Sequence, residues 1–305
     1  EDFEDGDEAK VGKLNSSLYG TRDAAQNWAK EYSEYLMQVG FKMGKASPCS
    51  FHHEMELLVT VHGDDFTVTG TMESLLWMEE KMKQKFEVTS EILGPEEGSK
   101  KEIKVLNRTI RWTSSGVEYE PDQGHADLII TEMGMTKAKA VVSPTSPEDK
   151  DEKNIRDGSP DLKREDASRY RGLAARLNYL ALDRTDLQLA AKQVAKNMSS
   201  PKQHDWEKLK RVARYLVGAP RMIQRFLWQE PQTDVITFTD SDWAGDKITR
   251  KSTSGGVMMM GVHMIKSWST TQQVLALSSG EAELYALLKG ASQMKGLMSQ
   301  LAEWG

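Results

Sequence analysis

Cysteine is almost absent from this chain: Cys49 is the single one in 305 residues. No internal disulfide can form, and a zinc site built on cysteine pairs is excluded. Such usage suits a reducing compartment, cytoplasm or nucleus. Long apolar runs are missing too. No stretch of about 18 consecutive apolar residues occurs, so a membrane-spanning helix is not expected. The opening EDFEDGDEAK is acidic where a secretory signal is basic and then apolar. It also begins without Met, as a fragment or a processed piece would. Positive charge is not in surplus: 40 Lys and Arg stand against 46 Asp and Glu, a formal net charge of −6. A protein that simply coats nucleic acid is normally basic, so that class is disfavoured.

A hydrophobic share of 38% supplies real cores but not one large one, and the length suits two domains or three. Basic residues do gather locally. Lys208, Lys210, Arg211, Arg214, Arg221 and Arg225 lie within one stretch and allow a basic face.

Apolar spacing lays out the elements. Trp28, Tyr32, Tyr35, Leu36 and Val39 recur at threes and fours, which predicts a helix from Thr21 to Val39. Leu57–Val61 and Phe66–Thr69 predict a hairpin turning at His62–Asp65. A helix follows from Thr71 to about Phe86, with Leu75, Leu76, Met82 and Phe86 as its stripe. Glu102–Trp112 and Val117–Glu120 predict a second hairpin, and Gln123–Met133 another helix. The stretch 143–166, rich in charge and Pro, predicts a linker or loop. Three helices then carry Tyr170 to Leu180, Leu187 to Val194 and Trp206 to Leu216. Val235–Thr239 predicts a buried strand ending at Asp240. Gly255–Met260, His263–Trp268 and Val274–Leu277 predict further strands, and Gly280–Trp304 a last helix. The fold class is mixed α/β. Domain boundaries fall at 1–142, 143–166, 167–232 and 233–305.

The stretch LLVTVHGDDFTVTG sets Asp64 and Asp65 side by side on a tight turn. Gly-Asp turns are common and need no further role. Adjacent carboxylates on a hairpin also suit a hard cation such as Mg2+, which takes oxygen ligands. Paired metals of this kind clamp the attacking and leaving oxygens of phosphoryl transfer. Asp240 closes an apolar strand, and Glu283 falls in the first turn of the expected last helix, where any acid is favoured by the helix dipole. Glu281 is the nearby alternative, while Asp242 and Asp246 fit a loop role. Trp243 and Trp268 fit core or platform roles. His52, His53 and His62 lie near Cys49 at no spacing used for zinc, which favours plain surface histidines.

The hairpin resembles the polymerase motif of reverse transcriptases. LNSSLYGTRDAAQNW (Leu14 to Trp28) and PCSF (Pro48 to Phe51) narrow the resemblance to the copia-type retrotransposon Pol polyprotein. Downstream, YRGLAARLNYLALDRTDLQLAAKQVAKNMSSPKQHDWEKLKRVARYLVGAP is similar to that family's connection segment. DSDWAGDKITRKSTSGGV and SWSTTQQVLALSSGEAELYAL resemble its ribonuclease H domain. The resemblance implies a partial palm with hairpins, a helical connection, and an incomplete ribonuclease H-like sheet with a long last helix. It implies RNA-directed DNA synthesis and cleavage of RNA–DNA hybrids with Mg2+ or Mn2+. Asp64, Asp65, Asp240 and Glu283 become catalytic, metal-binding carboxylates. The implied partner is an RNA–DNA hybrid or an RNA template and primer; by their chemistry Arg250 and Lys251, with a solvated basic turn as the alternative, and Lys210, Arg211 and Arg214 of the basic stretch are candidate contacts to it. His62 departs from the aromatic residue usual in the family's turn.

A polymerase palm also needs a carboxylate from a strand before Leu14. Asp2, Asp5 and Asp7 lie in a charged run that predicts no such strand. Further ribonuclease H aspartates are expected beyond the last helix. The expectation is therefore two incomplete sites, inactive in this chain alone, and a sheet edge open to association. The alternatives are a non-catalytic nucleic-acid-binding protein made from the same segment, or an inert relic.

Overall fold

The computed structural model describes residues 17–18, 20–146 and 151–304, and its contacts divide into two compact units. The acids at Asp2, Asp5 and Asp7, together with Leu14 and Tyr19 of the leading motif, lie outside the described residues. Residues 1–90 form the first unit together with 299–305. Helix α1 (Ala24–Gln38) leads into strands β1 (Lys42–Met43), β2 (Ser50–His53), β3 (Leu57–His62) and β4 (Asp65–Thr69). They form one antiparallel sheet in chain order. Alternation in β3 buries Leu57, Val59 and Val61, as a sheet with one covered face requires. Tyr32 and Leu36 of α1 share their core with Met78 and Met82 of helix α2 (Met72–Lys85). Thr71 caps α2 by accepting the Ser74 N–H. Leu76, expected in the buried stripe, is exposed; Met78 fills the inward position instead.

The second unit runs from Glu91 to Met298. Strands β5 (Glu102–Val105), β6 (Arg108–Thr113) and β7 (Gly116–Glu120) form a meander. The single strand expected over 102–112 is two, because Leu106 and Asn107 both take positive φ and turn the chain. Helix α3 (Gln123–Glu132) starts on Asp122, whose carboxylate accepts the Gly124 N–H at 2.9 Å. Inside the expected linker lies a short helix, α4 (Glu152–Gly158). Polar contacts hold it: Glu152 is buried against His204 and Lys208, and Arg156 reaches Asp205 and the Ser200 carbonyl. An apolar pattern cannot report such a helix.

Helix α5 (Arg164–Leu180), a 3-10 turn (Thr185–Leu187), α6 (Gln188–Ala195) and α7 (Gln203–Gly218) build the main core. Tyr170, Leu173, Leu177, Leu187, Leu209 and Leu216 are fully buried there. After α7, strand β8 (Gln224–Leu227) returns to pair with β7, pairing Val117 with Phe226. That pairing joins 102–120 to the helical layer, so the contacts divide near residue 90 rather than at 143–166.

Strands β9 (Val235–Asp242), β10 (Thr253–Met260) and β11 (His263–Thr271) form a third antiparallel sheet in the order β11-β10-β9. Helix α8 (Ser279–Trp304) lays Ala282, Ala286 and Gly290 against it. A Cβ at Gly290 would sit 2.4 Å from Thr239 Cγ2, so only glycine permits this approach. The strand expected to be buried, β9, is the sheet's edge and turns Ile236 and Phe238 to solvent, 55% and 62% exposed. Residues 274–277 form no strand; Val274, Leu275 and Leu277 are exposed in a loop with no partner strand among the described residues. No helix among the described residues is long and apolar enough to cross a membrane.

One buried acid predicts a pH response. Arg221 donates to Glu120; burial opposes ionisation; Arg111 then adds a second guanidinium, and the carboxyl falls from about 4.5 to about 2. The stability this pair supplies is complete above about pH 4.5 and is lost as pH falls toward 2. In Glu120→Gln, urea midpoints measured across that window should decline less steeply with acid than in the parent chain.

Candidate functional site

The first carboxylate pair sits on a two-residue turn. His62 pairs with Asp65, leaving Gly63 and Asp64 as the loop. Gly63 takes φ +65°, as the first loop position of a type II′ turn requires. Trp28 of α1 fixes the turn by donating its Nε1–H to the Gly63 carbonyl at 2.7 Å. Asp64 and Asp65 are both exposed at this tip. The nearby histidines do not converge on them. His53 packs against Phe41 and Trp77, each with ring centroids 4.9 Å away, and accepts the Met55 N–H. His62 stands exposed at the turn. Among the described residues, no three of His, Cys, Asp and Glu gather as a metal cage.

The second pair lies where β9 meets α8. Asp240 is exposed near the end of β9 and pairs with Gly255 of β10. Glu283 is exposed on α8, and its Oε1 accepts the backbone N–H of Ser241 at 3.2 Å. That bond draws the Glu283 carboxylate to the residue next to Asp240. Glu283 stands past the first helical turn, so the helix-start role belongs to Glu281 instead. Glu281 accepts the Leu277 N–H at 2.7 Å and the Tyr285 hydroxyl at 3.0 Å, while its own N–H meets Ser278 Oγ. This is a variant of the Ser-x-x-Glu capping box.

Gln272 is a residue that the apolar reading missed. Its amide nitrogen lies within hydrogen-bond distance of the Ala282 carbonyl, Ser254 Oγ and Ser241 Oγ, sharing its two N–H donors among them and tying α8 to β9 and β10 beside the pair. Nothing in the sequence around it signals that role. The loop after β9 is built on Asp246. Burial pushes this carboxyl up, but Lys196 at 2.7 Å and the Thr249 N–H outweigh it and bring it to about 2. Asp242 closes β9 and folds over Gly245. Arg250 is exposed and takes φ +61°, with Lys251 beside it accepting the Asp246 N–H on its carbonyl. Trp268 belongs to the core; Trp243 is half-exposed, donating to the Ala276 carbonyl.

The expected basic helix from Lys208 to Arg225 is shorter than its charge run. Helix α7 ends at Gly218, and beyond it Arg221 and Arg225 are taken up by Glu120 and Glu118 on β7. Lys208, Lys210, Arg211 and Arg214 remain on α7, on a cleft beside α6. Within the first unit Asp64 and Asp65 share one turn, and within the second Glu283 reaches the residue next to Asp240. The first unit presents a hairpin tip; the second presents a strand–helix junction and the basic face of α7.

A family model described as reverse transcriptase (RNA-dependent DNA polymerase) matches residues 2–147, a span that includes Asp64 and Asp65 but none of the later residues. The chain is 30% identical over 301 residues to the retrovirus-related Pol polyprotein from transposon RE1 of Arabidopsis thaliana, covering 97% of this chain and 19% of that protein. The corresponding polyprotein from transposon RE2 of the same plant is also 30% identical, with 97% and 20% covered. An uncharacterized mitochondrial protein of Arabidopsis thaliana is 32% identical over 171 residues, 56% of this chain and 68% of that protein. The chain thus spans about a fifth of the two polyproteins' length. No solved structure matches it.

The two neighbouring acids of α8 should separate on substitution. Glu281→Ala removes a cap and should lower unfolding free energy by about 1 kcal/mol. Glu283→Gln should stay within about 0.5 kcal/mol of the parent. Urea titrations of both variants measure the difference.

Proposed function

From a chain that belongs to the reverse-transcriptase-bearing Pol polyproteins of transposons, we propose a segment that handles RNA–DNA hybrids through two carboxylate pairs. Asp64 and Asp65 serve the polymerase reaction. Asp240 and Glu283 serve a ribonuclease H-like reaction in the unit that carries β9 and α8. The observation that carries this reading is the Ser241 N–H bond to Glu283, which brings a second carboxylate beside Asp240. Asp240 and Glu283 are both exposed, whereas Asp246 and Glu281 are half-buried among their partners.

Their donor chemistry fits a hard divalent cation, Mg2+ or Mn2+, because every ligand offered is a carboxylate oxygen. Such an ion, when bound, supplies Lewis-acid stabilisation of phosphoryl oxygens. The protein's part is to hold the acids at fixed positions. The Gly63 turn and the Trp28 bond do so for Asp64 and Asp65; the Gly290 approach and the Gln272 amide do so for Asp240 and Glu283. Two carboxylates hold less charge than a two-metal site requires, and geometry off by about 1 Å already costs about 10²-fold. This chain on its own is therefore proposed to lack useful turnover in either reaction. A second reading, a non-catalytic nucleic-acid binder, is favoured by the basic face of α7.

Primer-extension and hybrid-cleavage assays with Mg2+ or Mn2+ test the proposal. The expected result is turnover no higher than in Asp64→Asn and Asp240→Asn. Turnover that either substitution abolishes would reject the inactive reading for that site.

A further inference from the structure

The carboxylate pairs leave unused the cleft beside α6 and α7. Its volume is about 390 Å³, within the range of roughly 300–1,000 Å³ typical of small-ligand sites. Lys208, Lys210, Arg211 and Arg214 line it, against the two carboxylates of Glu152 and Glu207. Most of these charges are already engaged. Glu152 is held by Lys208 and His204 together. Lys210 pairs with Glu207 at 2.8 Å, and Arg214 Nε donates to the Lys139 carbonyl at 2.8 Å.

Arg211 differs. Its Nε–H is buried and, among the described residues, has no acceptor. Buried donors are nearly always partnered, and one left alone is costly. Lys208 and Arg211 lie three residues apart on α7 and so share a helix face. Thr145 and Gln193 add a hydroxyl and an amide to the lining. A guanidinium with a vacant N–H, in a lining where four cations outnumber the two carboxylates of Glu152 and Glu207, is chemistry that recognises a phosphate.

We propose that this cleft binds a phosphate group, with Arg211 as the recognising fork and Lys208, Lys210 and Arg214 as flanking charge. A phosphate can come from a nucleic-acid backbone or as free inorganic phosphate. Only the first source rests on the nucleic-acid reading above; the site itself does not.

Two measurements on the full chain test the site. One follows the Arg211 Nε–H resonance by NMR during titration with inorganic phosphate. The other follows binding of a labelled RNA–DNA hybrid by anisotropy across salt concentrations. The expected result is a saturable shift of Arg211. Arg211→Gln should weaken hybrid binding and reduce the slope of log affinity against log salt by about 1. Arg211→Lys keeps the charge but not the fork, and should fall between the parent and Arg211→Gln. A purely structural Arg211 would instead lower the melting temperature on substitution without changing either binding signal. If Arg211→Gln does not fold, Lys210→Gln and Arg214→Gln are measured in its place, with the same reduction in slope expected.

A saturable shift with hybrid binding unaffected by Arg211→Gln would support the site with free phosphate as its ligand. A response to phosphate in a chain that binds no hybrid would reject the nucleic-acid reading and leave the site standing. No shift with phosphate, together with unchanged hybrid affinity in the variants, would overturn the proposal.

Discussion

One buried guanidinium sets the route of the chain through the second unit. Arg184 is 2% exposed. It grips Asp186 with two hydrogen bonds, at 2.9 and 2.6 Å, and donates to the carbonyls of Ala219 and Pro220. Tyr215 of α7 adds its hydroxyl to the same carboxylate. Burial alone would push Asp186 up; the guanidinium outweighs it and holds the carboxyl below its usual range. A buried pair of this kind adds little net stability, but breaking it leaves a stranded charge and costs about 3–5 kcal/mol. Its value here is placement. It joins the turn before α6 to the end of α7, and so fixes where the chain departs for β8. From there Arg221 meets Glu120, β8 pairs with β7, and β9 follows with Asp240.

The acids of this chain fall into two groups by what the fold asks of them. Glu120, Glu152, Asp186, Asp205, Asp246 and Glu281 each accept specific partners, and most are buried or half-buried. Asp64, Asp65, Asp240 and Glu283 stand exposed on rigid supports: a turn fixed by Trp28 and a helix docked through Gly290. Glu283 also accepts the Ser241 N–H, which ties the start of α8 to the end of β9.

Apolar periodicity carried much of the fold into view before any coordinates. The spacing of Tyr32 and Leu36, the alternation of Leu57, Val59 and Val61, and the stripe from Leu209 to Leu216 each mark buried faces. Elements held by polar contacts stayed hidden. Helix α4 rests on Glu152 and Arg156, and the turn at Leu106 and Asn107 depends on backbone angles inside an otherwise strand-like run. The exposed run 274–277 failed in the other direction, since apolar residues form a strand only where a partner strand offers its edge. At the candidate sites, the family resemblance singled out Asp240 and Glu283. The E-L-x-A-L spacing already favoured Glu283 over Glu281, but that Glu281 takes the helix-start role needed the hydrogen bonds.

Asp240 and Glu283 are proposed to form one cation-binding pair. Mn2+ titration followed by amide NMR tests it most directly, because the paramagnetic ion broadens only nearby signals. A bound ion should broaden the Ser241 and Glu283 amides early and selectively, an effect lost in Asp240→Asn while the spectrum otherwise persists. Broadening that is uniform over the surface, or unchanged in Asp240→Asn, would contradict it.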